Sequence, residues 1–489
     1  MKRVKNKQEI PETEVPVKKK KKRRNVETVI VTYFFVFLML AMMGNLAYFV
    51  VTESEATINN SYNTRQELLA SKNIRGKILA KDGEVLAQTI VDSEGNETRN
   101  YPYENLFAHI VGYSTKGKTG VEAQGNIHLL TSNSFIGDRI KNEMDSTKNY
   151  GDNVVTTLDV DLQQVAYNAL GVYSGAIVVS EPSTGKILAM VSKPDFDPNQ
   201  IVALWDDLIS DDSSSVLVNR ATQGLYPPGS TFKILTALEY YRQNQGNVDS
   251  YSYQCAGSFV YEGHKISCYH GSNHGRVNFQ KSFEKSCNSS FVNIGLSLDL
   301  NQMEKDMNKL LFNEELPTDL VSKKSSYVLT AQDDTYDVMQ TSIGQGKTQM
   351  TPLHLNMLTC AIANDGKLMR PYVIDRIENY NGAVMKQYSP SSEGTLFTTE
   401  EAQFLRGLMA GVVENGTATK LKGLSYTAAG KTGSAEYNGE TADSHAWFTG
   451  YAPAENPEIV VTIIVEGAGS GGDYAVPIAR RIFDEYFKN

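Results

Sequence analysis

The chain has 489 residues, 41% of them apolar, and carries 47 Lys and Arg against 56 Asp and Glu. That length and apolar content allow two or three folded domains and exclude a disordered chain. Charge is uneven. Residues 1–24 hold eleven cations and three glutamates, a balance of +8, which leaves −17 on the rest of a chain of net charge −9.

The cations culminate in an unbroken run from Lys18 to Arg24, and Thr28 to Val51 directly after it is almost wholly apolar. A stretch of that length suffices to cross a bilayer. Beside such a span, the basic run is explained by membrane topology rather than by nucleic acid, and no nucleic-acid partner is expected. The positive-inside rule predicts residues 1–26 as a cytoplasmic tail, 27–51 as a single-pass plasma-membrane anchor, and an extracytoplasmic remainder. A cleaved signal peptide would have a shorter apolar core and a small-residue cleavage site after it.

Residues 52–150 are predicted to form a stalk and a small β-rich pedestal. Lys81-Asp82-Gly83 lies between two apolar alternations, Lys77 to Ala80 and Glu84 to Ala87, which is a hairpin signal. Residues 151–489 form the second expected domain. Asp159 is placed to cap a helix. Gly175 to Ser180 and Lys186 to Val191, joined by Glu181 to Gly185, read as a buried hairpin. A long helical middle follows, then strands over Thr427–Glu436, Ala446–Tyr451 and Glu458–Val465, and a last helix ending near Tyr486. This order predicts an α+β fold, an antiparallel sheet with helices on both faces.

Chemistry is concentrated at Tyr226-Pro227-Pro228-Gly229-Ser230-Thr231-Phe232-Lys233. A rigid turn running into an apolar helix puts Ser230 at a helix start, with Lys233 three residues on and on the same face. A helix N-terminus also favours a serine oxygen that becomes negative. A lone Ser-x-x-Lys is a weak signal. Ser286-Cys287-Asn288 and then Lys431-Thr432-Gly433 follow in order, and the three together are the signature of penicillin-recognising serine acyltransferases. Lys118-Thr119-Gly120 repeats the last motif, but it precedes the serine and reads as a polar loop.

With Gly344-Gln345-Gly346, Thr351-Pro352-Leu353 and Ser434-Ala435 added, the chain resembles the class B, monofunctional penicillin-binding proteins. The resemblance implies a transpeptidase domain of the penicillin-binding protein and serine β-lactamase type. It implies that Ser230 attacks the D-Ala-D-Ala bond of a peptidoglycan stem peptide, with Lys233 as base. It implies a proton relay through Ser286, substrate contacts from Asn288, and carboxylate binding by Lys431 and Thr432. Gly433 would leave room along the strand, and the N–H groups of Ser230 and Ser434 would form the oxyanion hole. Ser434 replaces the more usual threonine, with little effect expected because its backbone acts. β-Lactams are expected to acylate Ser230, and a membrane lipid II polymerase of the division or elongation type is the expected partner. The alternatives are a β-lactamase or D,D-carboxypeptidase with water as acceptor, and a non-catalytic activator of the polymerase. Glu304 and Asn308 mimic a β-lactamase motif but follow Asn288 too closely.

No cofactor is needed for this chemistry. Cys255, Cys268, His274 and Cys287 nonetheless offer three thiolates and an imidazole, a set suited to structural zinc. The spacing resembles that of zinc-containing clostridial relatives. A Cys255–Cys268 disulfide with Cys287 in the core is the other reading. His264 and His270 are expected at the surface and Cys360 in the core.

Overall fold

The computed structural model describes residues 25–52, 65–210, 215–437 and 444–488. Val26–Thr52 is one continuous helix, apolar and exposed over Val26–Phe49. At 1.5 Å per residue those 24 residues span roughly 36 Å, enough for a hydrocarbon layer of about 30 Å. The basic run Lys18 to Arg24 lies outside the described residues.

The second unit, residues 64–489, is built on a five-stranded antiparallel sheet. Its order is Ala429–Glu436, Ser444–Ala452, Ile459–Val465, Gly175–Ser180, Ile187–Lys193. Every residue of Ile459–Val465 and of Gly175–Ser180 is buried. A strand reads as a continuous apolar run only when both its faces are covered. Helices Val160–Leu170 and Ala475–Tyr486 pack on each other and on the sheet, as does Pro352–Ala363, buried along its whole length. Asp159 caps the first of these, accepting a hydrogen bond from the Leu162 N–H, and Thr351 caps the last, with Pro352 in its first turn. Cys360 lies in that buried helix. Among the described residues the Ala429–Glu436 strand is an edge, so one side of it has no strand partner there.

The Asp82-Gly83 turn joins Ile78–Leu79 to Val85–Val91 as an antiparallel hairpin, and Gly83 takes the positive φ of 96° that favours glycine. The stretch expected to be β-rich carries helical turns as well, at Arg65–Lys72, Glu104–Val111, Gly120–Leu130 and Ile136–Met144. Its strands join a six-stranded sheet in which Asn153–Thr156 lies between Ile78–Leu79 and Ile374–Glu378. Glu122, fully buried, ties this lobe together by accepting from Arg75 Nε and Arg99 Nε, both at 2.7 Å. Burial pushes its pKa up, but the two guanidiniums outweigh that and hold the carboxyl below its usual range. The polar Lys118-Thr119-Gly120 segment leads into the short helix Gly120–Gln124 of the same lobe and forms no strand.

Candidate active site

The Ser230 turn is fastened from several sides. Tyr226 exchanges backbone hydrogen bonds with Met350, and its hydroxyl donates to Glu466 Oε1 at 2.6 Å, an oxygen that also accepts from Arg220 Nε at 2.9 Å. Trp447 Nε1, on the sheet, donates to the Pro227 carbonyl at 3.1 Å. Gly229 has a φ of 53°, and a Cβ there would lie 2.7 Å from the Ser434 carbonyl oxygen. Only glycine allows both that conformation and that approach. Ser230 sits in the 3-10 turn Gly229–Phe232, just before the α-helix Lys233–Gln243 rather than within it. In a 3-10 turn residues i and i+3 eclipse, so Ser230 and Lys233 do share a face.

Lys233 is fully buried, and its Nζ donates to the Ser286 carbonyl at 2.8 Å, Asn288 Oδ1 at 2.6 Å and Ser286 Oγ at 3.2 Å. Burial pushes its amine down to about 8. Lys431, also fully buried, donates to Ser286 Oγ at 2.9 Å and to the Thr432 carbonyl at 2.9 Å. Its amine is lowered well below the ordinary value, first by burial and then by the Lys233 charge. Neighbouring positive charge thus acts on Lys431, whereas Lys233 is depressed by burial alone. Ser286 Oγ stands between both amines. It is held there by a left-handed backbone (φ 52°) that costs a non-glycine residue roughly 1–3 kcal/mol. Asn288 Nδ2 donates to the Ser267 carbonyl at 2.9 Å.

A cleft of about 670 Å³ brings together Ser230, Ser286, Asn288, Thr432, Gly433 and Ser434. Lys233 and Lys431 stand behind Ser286, out of the cleft lining but in contact with it. Two cleft residues were not anticipated as functional. The Thr417 hydroxyl lies 2.5 Å from that of Thr432, and the Gln345 carboxamide meets the end of the Ala429–Glu436 strand. Neither threonine nor glutamine announces such contacts locally, because each partner is far away in the chain.

The four expected metal ligands converge. Cys255 lies at the end of Ser252–Cys255, paired with Gly275–Asn278, and Cys268 follows the hairpin Ser258–Tyr261/His264–Ser267. These short strands interrupt what the sequence suggested was a helical middle. Cys255 Sγ is 3.7 Å from Cys268 Sγ and 3.5 Å from His274 Nδ1, and Cys268 Sγ is 3.8 Å from Cys287 Sγ. All four donor atoms lie within 4.8 Å of one another. The Cys255–Cys268 separation is no disulfide bond, which would need about 2.05 Å. A tetrahedral site with metal–sulfur bonds of about 2.3 Å puts sulfurs about 3.8 Å apart, so the donors present fit such an ion. His264 and His270 are exposed, as expected.

Residues 175–484 match the penicillin-binding protein transpeptidase domain. The chain belongs to the penicillin-binding protein family. Residues 75–154 match the penicillin-binding protein A dimerisation domain. Among similar proteins, the peptidoglycan D,D-transpeptidase PbpA of Mycolicibacterium smegmatis is 30% identical over 91% of this chain and 95% of its own length. The solved M. tuberculosis penicillin-binding protein A in its ceftriaxone acyl-enzyme complex is 28% identical, with a TM-score of 0.78 over 86% of this chain and 100% of that one. The D,D-transpeptidase domain of an Eggerthella lenta peptidoglycan glycosyltransferase is 29% identical, with a TM-score of 0.76 over 85% of this chain and 99% of its own.

Proposed function

We propose that Ser230 is the residue on which this serine-type peptidoglycan D,D-transpeptidase carries its acyl group, whether from a stem peptide or from a β-lactam. The observation that carries the assignment is the buried amine of Lys233, three residues from Ser230 and bonded to Ser286 and Asn288, which line one cleft with Ser230. Lys233, neutral when its proton is lost, takes the Ser230 proton as the oxygen bonds to the penultimate D-alanine carbonyl carbon. The Ser230 and Ser434 N–H groups receive the oxyanion. Collapse breaks the peptide C–N bond, and Ser286 passes a proton to the departing D-alanine nitrogen. Lys431 and Thr432 hold its carboxylate. An amine of a second stem peptide then attacks the ester, loses its proton to the same relay and releases Ser230, leaving a cross-link.

Intact mass after incubation with penicillin tests this. One covalent adduct that persists for many minutes and is absent from Ser230→Ala is expected. Rapid loss of the adduct with hydrolysed drug would instead indicate water as acceptor.

Three finer readings belong to the same proposal. Cys255, Cys268, His274 and Cys287 hold a structural zinc ion that steadies the Ser286–Asn288 loop, because Cys287 lies between the two polar residues. The chain enters the membrane with residues 1–26 in the cytoplasm, on the strength of the Lys18 to Arg24 run. It works beside a lipid II polymerase through its anchor and the 52–150 stalk and pedestal, a partner supported by the class B resemblance.

A further inference from the structure

Gly344-Gln345-Gly346 marks the sequence without having a place in the chemistry above. In the structure this segment touches both halves of the site. The Gly344 carbonyl accepts from the Gly229 N–H at 2.8 Å, one residue before Ser230. Gly344 has a φ of 75°, and a Cβ there would lie 2.1 Å from the Gly229 carbonyl oxygen, so the two backbones are in contact. Gln345, next along, turns its carboxamide to Glu436. In the amide orientation that satisfies both groups, it accepts from the Glu436 N–H at 3.0 Å and donates to the Glu436 carbonyl at 3.2 Å.

Glu436 ends the edge strand that carries Lys431, Thr432 and Ser434. In an antiparallel ladder, residues two apart present their N–H and C=O groups to the same side. Glu436 offers its groups to Gln345 at the open edge. Ser434 therefore points its N–H to that same edge, toward the cleft, while Gly433 and Ala435 face the neighbouring strand. The Gln345 side chain acts there as a one-residue strand partner, supplying the donor and acceptor that a further strand would have supplied.

We infer that Gln345 is a positioning residue for the oxyanion hole. It and Gly344 bridge the Ser230 turn and the Ser434 strand, and so set the separation of the two N–H groups. The inference rests on the assignment of those two N–H groups as the oxyanion donors. Such donors act only if they lie within hydrogen-bond reach of the oxygen as it becomes negative. A shift of either costs acylation rate and leaves ground-state binding intact.

The test uses Gln345→Met, of similar length but unable to pair, and Gln345→Glu, which accepts but does not donate to a carbonyl. Penicillin acylation is followed over a range of drug concentrations, separating the dissociation constant of the first complex from the acylation rate constant. The expected result is a fall of about 10–100-fold in the rate constant in both variants. The dissociation constant stays within about twofold and the thermal midpoint stays near wild type. A wild-type rate constant in both variants overturns the inference, as does a loss confined to the dissociation constant. If Gln345→Met fails to fold, Gln345→Glu carries the same reading. Peptide mapping of the wild-type adduct separates the two layers. A label away from Ser230 refutes the site assignment itself, whereas a label on Ser230 with unchanged variant kinetics refutes only the role of Gln345.

Discussion

The wall of the cleft that carries Ser230 and Thr432 rests on the five-stranded sheet, with Trp447 fully buried beneath it and Tyr226 tied to Glu466, which also accepts from Arg220. The facing wall, with Ser286 and Asn288, rests on the short helix Asn288–Gly295 and on two-stranded pairs only four residues long. A sheet buried on both faces holds its shape through the apolar area it removes from water. Isolated two-stranded pairs are marginal by themselves. The second wall has instead a cluster of three cysteines and a histidine, one of them inside the Ser286–Asn288 motif itself. Both walls thus share one core, in which Phe291, Val292 and Ile294 of the second wall are buried, but only the second has four potential metal-ligand atoms gathered within 4.8 Å beside it.

Substitutions should separate these supports. The largest effect beyond loss of Ser230 is expected for Lys233→Met, which keeps bulk and removes the base. Its acylation rate should fall by about 10²–10⁴, measured by the same penicillin kinetics. In the unaltered protein that rate should climb as pH rises through about 8, the value to which burial pushes Lys233, because only the neutral amine accepts a proton. A profile flat from pH 6 to 10 would remove Lys233 from the role of base. Next comes Cys268→Ser, or extraction of zinc with a strong chelator. Elemental analysis should show metal content dropping toward zero, with acylation falling on the order of 10–100-fold. Near-native thermal unfolding of the sheet should persist. Metal content near zero in the unaltered protein would leave the second wall without its supposed staple. The smallest effect is expected for Tyr226→Phe. Loss of one hydrogen bond to a carboxylate costs about 1.5–3 kcal/mol, read as a lower thermal midpoint with acylation reduced only modestly. A loss as large as that of Lys233→Met would mean that the sheet-side wall is the fragile one.

Much of the sheet-side wall was legible in the sequence. Ile459 to Val465 is a pure β-branched run, Lys431-Thr432-Gly433 marks the Ala429–Glu436 strand, and Ser230-x-x-Lys233 sits after two prolines and a glycine. The facing wall was legible only as chemistry. Three cysteines and a histidine named a ligand set, but the polar strands that bring them together, such as Ser252–Cys255 and Gly275–Asn278, carry no apolar alternation to announce them. Contacts such as Tyr226 to Glu466, Thr417 to Thr432 and Gln345 to Glu436 escaped for another reason. Each joins polar residues that are ordinary where they stand and meaningful only once the chain has folded. The shared sheet of Asn153–Thr156 with Ile374–Glu378 escaped likewise, because a change of texture near residue 150 says nothing about which strand will lie beside which.

The Lys233 nitrogen has one further property, which follows from counting its valences. One bond goes to its own side chain, and two N–H groups are taken by the Ser286 carbonyl and Asn288 Oδ1, the two shortest contacts it makes. A single direction is left, and it faces the Ser286 hydroxyl at 3.2 Å, in the cleft that also holds Ser230. In the ammonium form that direction is an N–H donor, and in the amine form it is a lone pair. The same point in space therefore changes from donor to acceptor with the charge of Lys233 while no heavy atom moves, so under the proposed mechanism a proton can pass between Lys233 and Ser286 on a rigid frame.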